Sequence, residues 1–128
     1  MGLYDSVYIE YPLPIAGYIP EQWKSLARLE FAASGFQTKD LERCLDTYFI
    51  DNYGNLFLDH SRWEDQEDIK VKVNHHGYIY VYTVIDISEE KNLFIEYKLK
   101  YTDGKLVEAE MTRPKKEEID EIRLHSSI

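Results

Sequence analysis

The sequence predicts one α+β domain: an antiparallel β-meander sheet, one N-terminal helix packed on one face, and a short C-terminal helical tail. Three observations carry that reading. A single segment, Trp23 to Phe31, places its apolar residues at helical spacing. From Phe36 onward, short runs alternate apolar and polar residues with a period of two. Turn residues separate those runs at hairpin distances. At 128 residues the chain fits a single domain spanning 1–128, and a chain of this size buries roughly two-thirds of its unfolded surface.

Ser6 to Tyr11 reads as a strand with Val7, Ile9 and Tyr11 on one face. Pro12, Pro14 and Gly17 then force an extended loop. Pro20 opens a helix in its first turn, and Glu21 lies near the positive end of the dipole. Trp23, Leu26, Ala27, Glu30 and Phe31 follow at helical spacing. Leu29, Ala32 and Ala33 broaden the stripe, and Gly35 stops the helix. Cys44 to Ile50 and Leu56 to Arg62 flank Asp51-Asn52-Tyr53-Gly54-Asn55, a hairpin loop with a glycine for positive φ. Ile69 to Asn74 alternates with Ile69, Val71 and Val73 inward. Tyr78 to Ile87 is long and rich in strand formers, and Leu93 to Tyr101 alternates again. Thr102-Asp103-Gly104 reads as a three-residue turn, Lys105 to Arg113 returns, and Pro114 ends the strand. Lys115 to Leu124 reads as the tail helix, with Ile119 and Ile122 inward.

Register follows from keeping apolar residues on one face. Setting Tyr101 opposite Lys105 also sets Leu99 opposite Val107, Tyr97 opposite Ala109 and Ile95 opposite Met111. The same logic pairs Val81 with Leu99 and Val71 with Val81. The buried face then carries Val71, Val81, Ile95, Leu99 and Val107. In the first hairpin, Ile50 opposite Leu56 sets Tyr48 against Leu58 and Asp46 against His60. The alternative register would oppose Asp46 to Asp59, a like-charge pair.

Composition excludes several classes. Lys plus Arg is 15 and Asp plus Glu is 24, a formal net charge of −9, which argues against a general nucleic-acid backbone binder. Hydrophobic residues at 44% place the chain among globular proteins. One cysteine cannot build a disulfide framework or a cysteine-based zinc site, and it fits a reducing, cytoplasmic setting. Apolar runs are far shorter than the roughly 18 residues that span a bilayer. Met1 to Ser6 fits the acylation pattern M-G-x-x-x-S. No basic cluster follows to supply a second anchor, and Asp5 and Glu10 oppose an anionic leaflet, so a structured N-terminus is expected.

The candidate sites follow from the register. Tyr80 is expected between Lys72 and Lys100, and Tyr82 between Lys70 and Lys98. An aromatic row flanked by lysines suits partner binding by stacking and cation–π contact, unless it is an ordinary solvated face or is covered by the tail. Asp46 and His60 form the only candidate hydrolase dyad. An Asp–His pair can orient an imidazole, but neither Ser61 nor Thr47 faces it, and Cys44 lies two steps away. His75 and His76 are adjacent and point apart, so neither a metal nor a cofactor is expected. Glu64, Asp65, Glu67 and Asp68 form an acidic stretch, read as a solvated loop or as the surface of a DNA mimic.

Met1-Gly2-Leu3-Tyr4-Asp5-Ser6-Val7, the run Phe36-Gln37-Thr38-Lys39-Asp40-Leu41 leading to Leu45-Asp46-Thr47-Tyr48, and the late Asp103-Gly104-Lys105-Leu106 hairpin resemble small hypothetical proteins of bacteria and tailed phages. The resemblance implies a phage or mobile-element setting and no catalytic residue. Some such proteins carry cysteine pairs near the N-terminus where this chain has Pro12 and Pro14, so no metal role transfers. The expected function is a non-enzymatic module that docks on a host protein complex, for instance as an inhibitor of a defence system. A partner protein is expected, and direct nucleic-acid or membrane binding is not. The rival readings are an acidic DNA mimic and a small hydrolase using Asp46 and His60.

Overall fold

A computed structural model describes residues 4–41, 46–59 and 70–125. Along the chain run β1 (Asp5–Ile9), α1 (Glu21–Ala33), β2 (Phe36–Thr38), β3 (Thr47–Ile50), β4 (Leu56–Asp59), β5 (Lys70–Lys72), β6 (Gly77–Asp86), β7 (Asn92–Thr102), β8 (Lys105–Arg113) and α2 (Lys116–His125). The class is the α+β architecture the alternation predicted. The strands form one sheet in the order β5-β4-β3-β1-β2-β6-β7-β8. Every neighbouring pair is antiparallel except β1 and β3, which run parallel. Two meanders, β3-β4-β5 and β6-β7-β8, therefore flank a central pair, β1 and β2.

α1 lacks a side-chain cap at Pro20, and Glu21 supplies an acidic first turn. At its other end, the Ser34 and Gly35 N–H groups both donate to the Glu30 carbonyl (2.9 and 3.2 Å). Gly35 has φ +68°, and a Cβ there would stand 2.8 Å from the Val7 carbonyl oxygen, so only glycine fits this stop. The buried line is Trp23 and Ala27, with Phe31 packed beside them. Those residues sit four apart and define a narrow stripe, so the broad face expected from Leu26 and Leu29 is not used; Leu29 is 68% exposed.

α2 turns Ile119 into the core and packs Ile122 against it. Its first turn is closed by Glu118, whose carboxylate accepts the Lys115 N–H at 2.8 Å. The tail thus covers the inner face, not the outer one. The loop before α1 is tied down by two tyrosine hydroxyls: Tyr18 donates to the Pro114 carbonyl and Tyr97 to that of Pro14, each at 2.6 Å.

The β3–β4 register is as predicted: Ile50 opposes Leu56 and Tyr48 opposes Leu58. Three other pairings differ. β5 lies beside β4, with Val71 opposite Leu58, so the expected Val71–Val81 pair does not form, and Val71 is 48% exposed at the sheet end. Leu99 faces Ile79 and Val81 faces Tyr97, a slip of two that keeps every side chain on its predicted face. In the last hairpin the turn is two residues, Asp103 (φ 51°) and Gly104 (φ 81°), flanked by Thr102 opposite Lys105. Two left-handed residues match the twist of the strands. This turn buries Leu106 opposite Tyr101, and Val107 is 52% exposed, not buried. A bulge at Val107 then restores phase, setting Leu99 opposite Ala109 and Tyr97 opposite Met111.

The two halves of the sheet also meet along their ends. The Leu106 N–H donates to the Gly54 carbonyl (2.9 Å), Asn55 bridges to Lys105, and the Gly104 N–H donates to the His75 carbonyl (2.7 Å). The sheet therefore bends round so that the β3–β4 turn reaches the start of β8. Ile50, Leu56, Tyr101 and Leu106 are buried inside that bend.

Candidate docking face

The inner face of β6 and β7 carries Ile79, Val81, Ile85, Leu93, Ile95, Tyr97 and Leu99, all buried. Pleating sends the intervening residues outward. On β6 these are Tyr78, Tyr80, Tyr82 and Val84, and on β7 Phe94, Glu96, Lys98 and Lys100. Tyr78 is 50% and Tyr80 39% exposed. Among the described residues both helices bury their apolar lines in the common core, and the C-terminal end of α1 borders this side at Tyr82, Val84 and Phe94.

Cross-strand pairing sets the geometry. Tyr78 opposes Lys100, Tyr80 opposes Lys98, Tyr82 opposes Glu96 and Val84 opposes Phe94. The Lys98 ammonium sits 4.4 Å from the centre of the Tyr78 ring. Tyr82 stacks on Phe94 with centroids 5.9 Å apart and planes 25° apart. The Arg113 guanidinium lies 4.8 Å from the Phe94 ring and is held by the Glu118 carboxylate. On the next strand, Lys98 faces Glu110 and Lys100 faces Glu108, and Glu96 faces Arg113. Each cation in these pairs opposes an anion, and no like charges face each other across β7 and β8.

The backbone beneath Tyr80 is fixed on both sides of its peptide. Its N–H donates to Asp40 Oδ2 (2.7 Å), and its carbonyl accepts the Thr38 hydroxyl (2.8 Å). The Tyr82 hydroxyl is pushed up from its ordinary pKa, first by burial and then by the charges of Asp40 and Tyr4. Asp40, Tyr78 and Phe94 belong to the site and were not singled out from the sequence. Phe94 shares the outward phase of Lys98 and Lys100, the one sequence signal that points to it.

The lysine rows are only half present. Lys98 and Lys100 stand on one side of the tyrosines, but the slip of two sets Tyr80 opposite Lys98 instead of Lys100 and Tyr82 opposite Glu96 instead of Lys98. Lys70 and Lys72 lie on β5 opposite Asp59 and Phe57, at the far end of the strand order. Alternation fixes the face of a strand but not its neighbour, and β5 chose β4.

The other candidates resolve differently. The Asp46 N–H donates to Asp5 Oδ1 (2.9 Å), next to the point where the β3–β4 register stops at Thr47 opposite Asp59. His60 and Cys44 lie outside the described residues, as do Glu64, Asp65, Glu67 and Asp68. The acid on α2 is partly neutralised: Glu118 pairs with Arg113, and Asp120 with Lys116 at 2.9 Å. Among the described residues, no three His, Cys, Asp or Glu side chains come together to hold a metal ion, and no helix is long and apolar enough to cross a membrane. No protein-family model, curated protein or solved structure matches the chain.

Proposed function

We propose that this chain is a non-enzymatic protein-binding module whose partner docks on the outer face of β6 and β7. One observation carries the reading: Tyr78, Tyr80, Tyr82, Val84 and Phe94 share the outward phase of β6 and β7, and Tyr78, Tyr80 and Val84 are exposed. Rigid aromatic rings on a flat sheet give contact area at little entropic cost, and tyrosine is enriched where binding energy concentrates. The Lys–Glu pairs of β7 and β8 make a polar rim beside that patch. The resemblance to proteins of bacteria and tailed phages supports a host complex as the target, with defence inhibition in the host cytoplasm as the setting.

The test starts by capturing the partner from host lysate and identifying it by mass spectrometry. Affinity is then measured for the native chain and for Tyr80→Ala at two ionic strengths. A docking face loses on the order of 2 kcal/mol or more with Tyr80→Ala, and its affinity changes little with salt. A variant that binds normally, with native affinity collapsing as salt rises, transfers the function to the acidic surface and ends the docking reading.

A further inference from the structure

At one corner of the outer face the sheet is incomplete. β2 meets β6 only at Gln37 opposite Tyr82, and β2 begins at Phe36, whereas β6 runs on to Asp86. Among the described residues, β6 therefore has no strand beside it beyond Tyr82 on that side, and the end of α1 stands across the gap. The result is a cleft of about 340 Å³ bounded by Glu30, Ser34, Gln37, Tyr82, Val84 and Phe94. That volume is near the lower end for ligand sites, closer to one long side chain than to a cofactor.

The chemistry of its walls has one sign. Among the described residues, the Glu30 carboxylate has no ion-pair partner. It belongs to the C-terminal end of α1, where the helix dipole is negative and the last turn has no basic residue. The opposite wall is aromatic, the stacked Tyr82 and Phe94, whose ring faces are electron-rich. Asp40, outside the cleft and bound to the Tyr80 N–H, adds negative charge that, after burial, raises the Tyr82 hydroxyl pKa. Arg113, the cation over the Phe94 ring, is committed to Glu118 and does not line the cleft. Its position over Phe94 shows that the exposed side of this sheet accommodates a planar guanidinium against an aromatic ring. The chain's net charge of −9 favours the approach of a basic ligand.

We propose that this cleft receives an arginine side chain from the partner, its guanidinium between the Glu30 carboxylate and the Tyr82–Phe94 stack. The proposal rests on the docking reading and specifies what the partner presents: an arginine in a basic segment. Arginine fits better than lysine because its planar, weakly hydrated head stacks on a ring while hydrogen-bonding a carboxylate in its own plane. An anionic or phosphorylated segment would meet Glu30, Asp40 and the end of the helix dipole, and is repelled.

The test needs no identified partner. The ¹⁵N-labelled chain is titrated with acetyl-Gly-Arg-Gly-amide, and the same tripeptide with citrulline or lysine in place of arginine serves as comparison. The arginine peptide should shift the Gly35, Gln37 and Val84 amides saturably, with a dissociation constant of roughly millimolar order. Glu30→Gln should weaken it roughly tenfold or more, as expected for losing a charge-assisted hydrogen bond. Asp103→Asn, which removes a carboxylate from the β7–β8 turn at the opposite end of β7 from Phe94, should leave binding unchanged. Absence of saturable shifts, equal binding of the citrulline or lysine peptide, or native affinity in Glu30→Gln overturns the proposal. The docking reading is judged separately by Tyr80→Ala against the captured partner. A silent arginine titration with a damaging Tyr80→Ala removes only the cleft. A positive titration with a harmless Tyr80→Ala keeps arginine recognition and removes the docking face.

Discussion

Tyr97 and Tyr80 lie on adjacent strands and oppose neighbouring residues, yet they face different surroundings. Tyr97 points into the core, packs edge-on against Phe31 and Phe36, and spends its hydroxyl on the Pro14 carbonyl. Tyr80 points to solvent, with only its backbone held in place by Asp40 and Thr38. The same residue type is buried on one face and turned to solvent on the other, and strand phase alone decides which. Tyr48 and Tyr101 belong with Tyr97, whereas Tyr78 and Tyr82 belong with Tyr80.

The sharpest break between the two sets is truncation. Tyr97→Ala should destabilise the fold by about 3–5 kcal/mol, the range for deleting a buried ring. Tyr80→Ala should stay within about 0.5 kcal/mol, as at other exposed sites. Urea denaturation of the two variants measures both. A large loss at Tyr80 would mean that the outer face is structural after all.

A second comparison lies within the buried set. Tyr97 and Tyr101 both have their hydroxyl pKa raised by burial, and the charge of Asp51 adds to the shift at Tyr101. Their hydrogen bonding differs, because among the described residues the buried Tyr101 hydroxyl has no partner. Tyr97→Phe leaves the Pro14 carbonyl without its donor and should cost about 1–3 kcal/mol. Tyr101→Phe removes an unsatisfied polar atom and should be neutral or stabilising by up to about 1 kcal/mol. Equal losses in both variants would show that the Tyr101 hydroxyl is satisfied in solution.

The smallest effect concerns Asp51, at the turn that closes the sheet. Burial raises its pKa, but hydrogen bonds outweigh burial and leave the carboxyl below its ordinary value. They come from the Asn55 N–H (2.8 Å), the Asn55 side chain (3.1 Å) and the Tyr53 N–H (3.0 Å). A depressed folded-state pKa gives stability that is complete above the unfolded value of about 3.9 and is lost as pH falls through the folded value. The native chain should lose up to about 1 kcal/mol more than Asp51→Ala as pH drops through that window, a figure kept small by solvent screening. Matched stability curves against pH would contradict this.

What could be read from the sequence follows the same divide between face and partner. Apolar phase identified the inward residues of β6 and β7, the β3–β4 register and the inward line of α2, because each depends on a period of two or of about four. Phase also put Tyr80, Tyr82, Lys98 and Lys100 on one side. It could not say that β5 would leave β6 for β4, which removed Lys70 and Lys72 from the site. Nor could it tell a two-residue turn followed by a bulge at Val107 from a three-residue turn, since both leave Ala109 and Met111 inward. The cleft was not legible, because it depends on where β2 begins relative to the length of β6.

The strand order has a consequence for how the chain reaches its structure. β6, β7 and β8 are consecutive and joined by short turns, so that meander can assemble from local contacts on the fast timescale of hairpins. β1 is made first yet sits between β2 and β3, paired in parallel with a strand that arrives only after a helix and another strand. β2 must in turn wait for β6, and the Gly54–Leu106 contact cannot form until the last hairpin exists. Loop closure must precede those long-range pairings, so the C-terminal meander sets early and the N-terminal half docks onto it late. During synthesis the first strands to emerge therefore remain without their full complement of neighbours until most of the chain has been made.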